Sequence, residues 1–530
     1  MMPWLLGNFA GYDAEDYDAA YAWIDSLEIG GVLISVGSPI DVAARLNALQ
    51  QRSRLPLLVG ADLEWGAAMR LIGATAFPMA MGIGATGKEQ DAYEMGRITA
   101  LEARAVGIHL SFSPVVDVNN NPLNPIINTR SFGEDPKTVA RLATAYIQGA
   151  QEHGLFTAAK HFPGHGDTQT DTHIDVPVVP SCWSRLDTLE LIPFRAAIAA
   201  GVTMTMTAHV ALPCLTPGDT TPATLSPLVM SGMLRDSLHF EGTVVTDAMS
   251  MGAIVRKYGP GEAAVRAFLA GSDLVLDPSD VAGTFSALLD AVRSGRITRE
   301  RLDASVRRML DLKQRARLFD RRTVNLDSVP AMVGRRESQA VADDIAARSL
   351  TLIQRGGEAL DTFRASRGRV AVVLYAEETN LTMGNALIRE LRSYGDTVTP
   401  FRLYPASGEL SYDSARVILS RNPRALFAAS VRFIAGRGII SMPDSLSHLI
   451  LTTSRKKTTL LASFGSPYLL SQLPGYSGAY LLAWSDAPAT ERAVGRVLSA
   501  GAPITGTLPI TLSSGFQRGY GVMVKAKQPY

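Results

Sequence analysis

Short apolar runs alternate with longer stretches of helical periodicity across the first 320 residues. The runs occupy 2–6, 31–35, 55–59, 108–112, 155–159, 202–206, 242–246 and 273–276. Between them, stretches such as 41–53, 90–106 and 138–153 repeat apolar residues at the spacing of one helix face. Eight strand–helix units in succession predict a (β/α)8 TIM barrel over residues 1–320, in preference to an open doubly wound sheet. A basic-rich stretch at 321–336 reads as a linker. An alanine-rich helix at 337–349 then opens a second α/β alternation, with apolar runs at 370–374, 425–429, 459–462 and 479–483. The expectation for 337–530 is a smaller αβα sandwich domain.

Composition narrows the function. The chain has 530 residues, a formal net charge of +1 and 46% hydrophobic residues. Such a balance gives no reason to expect nucleic acid or another polyanion as partner. Only Cys182 and Cys214 are present, too few for a disulfide framework or a cysteine-rich metal site. No apolar run reaches the roughly 18 residues of a spanning helix. The nearest, 196–208, is broken by Thr203, Thr205 and Thr207. The start of the chain lacks the basic flank of a signal peptide. As it stands the chain reads as cytoplasmic, with an upstream leader left open. Oligomeric state is not legible.

The densest chemistry lies in Lys160-His161-Phe162-Pro163-Gly164-His165-Gly166-Asp167, followed by Asp171-Thr172-His173. Pro163 and Gly164 exclude a regular helix, and the run follows a buried strand, where α/β proteins keep their active sites. The other strand ends are also polar. Asp62, Glu64, Trp65 and Arg70 follow the third run. Asp117, Asn119 to Asn121 and Arg130 follow the fourth, His209 the sixth, and Asp247 the seventh. These groups would converge on one mouth.

Asp247 could attack an anomeric carbon and form a covalent intermediate, or simply cap a helix. His173, two residues after Asp171, could carry a proton near neutrality, or merely bond loop backbone. Asp62, Arg70, Arg130, Lys160 and His161 could hold sugar hydroxyls, or form an ion network at the barrel top. His165 and Asp167 read as loop-shaping. A metal site built from His161 and His165 lacks the helix face that aligns such a pair, so neither metal nor cofactor is expected.

These motifs carry a resemblance to glycoside hydrolase family 3, in its β-N-acetylglucosaminidase branch. They are K-H-F-P-G-H-G-D at 160–167, D-T-H at 171–173, V-V-T-D-A-M at 244–249, D-x-E-x-G-x-x-x-R at 62–70 and N-T-R-S-F-G at 128–133. The resemblance implies a retaining mechanism with Asp247 as nucleophile, and His173 as general acid/base with Asp171 as its partner. It also implies that Asp62, Arg70, Arg130, Lys160 and His161 bind the sugar in the minus-one subsite. The implied activity is exo-hydrolysis of terminal β-GlcNAc from peptidoglycan fragments or chitin-like oligosaccharides. A GlcNAc-containing carbohydrate would then be the partner.

Other branches take their acid/base Glu from the second domain, which makes Glu377 and Glu378 the residues to test should His173 prove dispensable. Segments 462–468 and 506–510 resemble the family's C-terminal sandwich. Trp65 departs from the commoner D-Q-E-G-G, which leaves the exact substrate open. A β-N-acetylglucosaminide phosphorylase, a β-glucosidase or β-xylosidase, and a sugar-binding barrel without turnover are the rivals.

Overall fold

The computed structural model describes the chain apart from residues 6, 9–10, 13, 171–175, 217–218, 366, 433–439 and 528–530; it also leaves undescribed the side chains of 7–8, 11–12, 14–17 and 253. It contains two compact units.

The first unit is built on seven parallel strands, each beside its predecessor in the chain. They are Trp4–Leu5, Gly31–Ile34, Leu58–Ala61, Leu110–Ser111, Phe156–Phe162, Met204–Thr207 and Thr243–Val245. The eighth expected strand, 273–276, forms only single bridges, Leu274 with Val245 and Leu276 with Met2. Its backbone nonetheless bonds both edges of the sheet: Leu274 N–H donates to Val244 O at 3.1 Å, and Met2 N–H to Val275 O at 3.0 Å. Asp277 follows at φ 45°, outside the extended region, and ends the run.

Both faces of the curled sheet are buried, which explains apolar runs without alternation. Leu33, Leu58, Leu110, Met204, Val245 and Leu276 fill one core. Val32, Ile34, Val59 and Ala61 face the other way, onto Leu46 and Leu49. Those two leucines lie on helix Pro39–Arg52, which starts with Ser38 accepting from Asp41 N–H and Pro39 in its first turn.

Most strands are shifted or trimmed by a few residues from their expected spans, and two of the differences matter to the site. The third begins at Leu58 rather than 55, because Pro56 offers no N–H to a ladder. The fifth runs on to Phe162, so Lys160 and His161 belong to the strand itself.

The second unit carries a six-stranded sheet in the order Thr351–Gln354, Ala479–Leu482, Thr458–Ser463, Arg424–Ala429, Arg369–Tyr375, Thr397–Leu403. The first of these is antiparallel to its neighbour; the others pair in parallel. Neither edge strand is announced by an apolar run. Thr397–Leu403 contains Pro400 and buries only Val398 and Leu403, which suits an edge.

Segments 76–91 and 126–135 pack with this unit although they precede it in the chain. The Glu134 carboxylate accepts from Thr511 N–H and Oγ1, both at 2.7 Å. Gly84 lies so close to Phe132 that an added Cβ would stand 1.9 Å from its carbonyl oxygen.

The two cysteines form one disulfide, with Cα atoms 5.1 Å apart. It joins the segment after the fifth strand to the segment after the sixth, where Val179 N–H also donates to Ala211 O at 2.9 Å. Among the described residues no helix is long and apolar enough to cross a membrane.

The amino-terminal ends of the strands are held electrostatically. Asp273, with no exposed side-chain surface, pairs with Arg235 at 2.9 Å and Arg308 at 3.1 Å and accepts from Ser305 at 2.5 Å. Removing one partner from a buried ion cluster leaves uncompensated charge. Asp273→Ala is therefore expected to cost about 3 kcal/mol, read as a lower urea midpoint with an unchanged slope.

Candidate active site

Asp117, at the end of the fourth strand–loop passage, is almost fully buried. Its Oδ2 accepts from His161 Nδ1 at 2.7 Å and from His161 N–H at 3.2 Å, and its Oδ1 accepts from His165 N–H at 2.6 Å. One carboxylate thereby fixes both the backbone and a ring across the Lys160–His165 run. Because a carboxylate only accepts, Nδ1 carries the hydrogen of this bond. The chain separation of 44 residues explains why local spacing gave Asp117 no role.

Lys160 sits between two carboxylates from the third strand's loop. Its Nζ is 3.0 Å from Asp62 Oδ1 and 2.8 Å from Glu64 Oε1. Arg70 reaches the other Asp62 oxygen at 2.9 Å. Burial pushes the Asp62 pKa up, but Lys160 and Arg70 outweigh it and hold the carboxyl below its ordinary range. Four expected sugar-binding residues, Asp62, Arg70, Lys160 and His161, therefore lie at neighbouring strand ends of one unit. Glu64 joins them as a partner that its place in the motif could have suggested.

Asp247 lies two residues past the end of the seventh strand. It is partly open to solvent, and its Oδ1 accepts from Ala248 N–H at 2.8 Å. Burial raises its pKa; His161, His209, the Ala248 N–H and Lys160 together lower it further, so the carboxyl is held ionised below the usual range. An ionised carboxylate with cationic and imidazole groups around it can act as a nucleophile toward an electron-poor carbon.

The remaining expectations separate. Arg130 belongs to the second unit, on the short turn Asn128–Arg130, where its guanidinium donates to Ile126 O at 3.3 Å. Asp171 and His173 lie outside the described residues. His209 is fully buried, with Nδ1 2.8 Å from Thr224 Oγ1 and Nε2 3.1 Å from Ala248 O.

His165 packs edge-on to His161 with ring centroids 6.0 Å apart. Burial lowers its pKa to about 4, with Asp117 pulling the other way, so the ring is neutral at pH 7. The unfolded chain takes up this proton near pH 6.5, and the folded one only near pH 4. His165 therefore costs nothing above about pH 6.5 and progressively destabilises the fold as pH falls from there toward 4. In His165→Gln the fall in unfolding free energy between those pH values should shrink by roughly 2–3 kcal/mol. Denaturant titrations of both proteins at a series of pH values would check it.

Comparison with known proteins identifies the family. Residues 6–312 match the model of the glycosyl hydrolase family 3 N terminal domain. The chain is 30% identical over 502 residues to a β-N-acetylglucosaminidase/β-glucosidase of Cellulomonas fimi, covering 91% of this chain and 88% of that protein. A solved family 3 β-N-acetylglucosaminidase from Paenibacillus sp. superposes with a TM-score of 0.87 at 35% identity, covering 97% of each chain. A solved β-glucoside phosphorylase, BglX, gives a TM-score of 0.83 at 26% identity, covering 92% of this chain and 91% of that one. The chain belongs to glycosyl hydrolase family 3 and is a glycoside hydrolase.

Proposed function

We propose that this glycoside hydrolase is an exo-acting β-N-acetylglucosaminidase. It would remove terminal β-GlcNAc from peptidoglycan fragments or chitin-like oligosaccharides with retention of configuration. The observation that carries this reading is the ionised Asp247 carboxylate beside the cluster formed by Lys160, His161, Asp62 and Arg70. The acetamido preference rests on the names of the Cellulomonas and Paenibacillus relatives.

In the first step an Asp247 oxygen attacks C1 of the sugar. The C1–O bond to the leaving group breaks with its electron pair, and the leaving oxygen takes a proton from His173. In the second step His173 removes a proton from water, whose oxygen attacks C1 and displaces Asp247. Asp171 would hold the His173 ring in one tautomer. The His173 and Asp171 roles are supported by the D-x-H motif alone. Lys160, His161, Asp62 and Arg70 would hold the ring hydroxyls. Arg130 is assigned the same task by its motif.

Incubation with a 2-fluoro aryl β-glycoside should leave a glycosyl adduct on Asp247, located by peptide mass spectrometry. A label on any other residue would remove the scheme. Asp247→Ala should lose roughly 10³-fold or more in kcat. His173→Ala should lose roughly 10²–10⁴-fold on a poor leaving group but far less on an activated aryl glycoside, which departs without a proton.

The likeness to the BglX phosphorylase supports a second reading, with phosphate as acceptor. Product analysis with and without inorganic phosphate separates the two: free sugar at an unchanged rate supports hydrolysis, and sugar 1-phosphate supports phosphorolysis.

A further inference from the structure

The backbone around Asp247 is bonded by side chains from and just after the neighbouring strand. Thr207, the last residue of the sixth strand, accepts the Asp247 N–H on its Oγ1 at 3.3 Å. Two residues on, His209 places Nε2 3.1 Å from the Ala248 carbonyl. A carbonyl only accepts, so Nε2 carries a hydrogen and donates it. Thr224, on the short turn Ala223–Leu225, ties the two together, with its Oγ1 2.8 Å from both Thr207 Oγ1 and His209 Nδ1. All three side chains have no exposed surface.

The bonds fall on the peptide groups just before and just after Asp247–Ala248. With Oδ1 held by the Ala248 N–H, Oδ2 accepts no hydrogen bond from the described residues. The backbone at this turn is thus fixed by His209, Thr207 and Thr224, and the carboxylate by its own next amide. A buried imidazole serving only to fill space would have no need to donate to the carbonyl of the residue after Asp247.

We infer that His209 is a positioning residue for the glycosyl-transfer step: through the Ala248 carbonyl, and with Thr224 and Thr207, it fixes the direction in which Asp247 Oδ2 points. This rests on reading Asp247 as the nucleophile. His209 touches no substrate. Its charge field also favours the ionised form of Asp247 against burial. Misplacing a reacting atom by about 1 Å costs on the order of 10² in rate, which sets the size of the expected effect.

The test uses His209→Leu, His209→Gln, Thr224→Val and Thr224→Ser, each checked for a cooperative thermal transition. His209→Leu removes the donor, whereas His209→Gln restores an N–H. For His209→Leu, kcat on an aryl β-glycoside should fall roughly 100-fold with KM within about threefold of wild type. Labelling of Asp247 by the 2-fluoro glycoside should slow in proportion. His209→Gln should regain at least about a tenth of the wild-type kcat, and Thr224→Ser should exceed Thr224→Val.

A folded His209→Leu with wild-type kcat, or with its loss confined to KM, overturns the inference. So does a Gln variant no faster than Leu. If His209→Leu does not fold, the Thr224 pair decides, and equal rates in its two members overturn the inference. A label on another residue in the wild type would instead sink the nucleophile assignment and take the inference with it. A label on Asp247 with unaltered His209→Leu kinetics sinks the inference alone.

Discussion

The buried carboxylate of Asp117 is the constraint on which the site depends. Three N–H groups of the Lys160–His165 run point to it. Beyond the strand end at Phe162, the stretch with Pro163, Gly164 and Gly166 is not held by helix or sheet bonding, so it needs an external template. Charge-assisted bonds to an ionised acceptor are roughly twice as strong as neutral ones, and this acceptor is rigid because it is buried. Lys160, one residue before the pinned His161, is then committed to the side where Asp62 and Glu64 lie.

The charge arrangement follows from that commitment. Lys160 and Arg70 match Asp62 and Glu64 in number, so the cluster can be largely buried without net charge. What such a neutral cluster offers to an incoming polar ligand is orientation rather than attraction. Asp247 differs. It makes no direct salt bridge in the described residues, and its depressed pKa comes from imidazoles and a lysine nearby rather than from a paired cation. A carboxylate that is ionised but unpaired keeps an oxygen free to form a bond.

Much of this was legible in the sequence, and the exceptions have physical causes. Apolar runs marked the strands where both faces are buried, since nothing polar interrupts them. They misplaced the third strand by three residues because hydrophobicity ignores the missing N–H of Pro56. They missed the Thr397–Leu403 edge strand because one side of it needs no burial. The dense K-H-F-P-G-H-G-D run announced the site, and placing Asp62, Arg70 and Asp247 at strand ends followed from the α/β pattern. Asp117, Thr207 and Thr224 stayed without roles because their partners are distant along the chain and each lone residue type is common. Their function exists only once adjacent strands are in register.

The two early segments that pack with the second unit have a consequence for synthesis. Helix Ala80–Thr86 has six buried residues, and Gly84, Gly133 and Glu134 meet Pro509 and Thr511. A ribosome delivers those partners some 370 residues after Glu134 has emerged. At ~5–20 residues per second, this apolar helix waits on the order of tens of seconds for its cover. Until then the buried face of this segment lacks the partners that cover it in the folded protein, which makes it a place where a nascent chain is open to chaperone engagement.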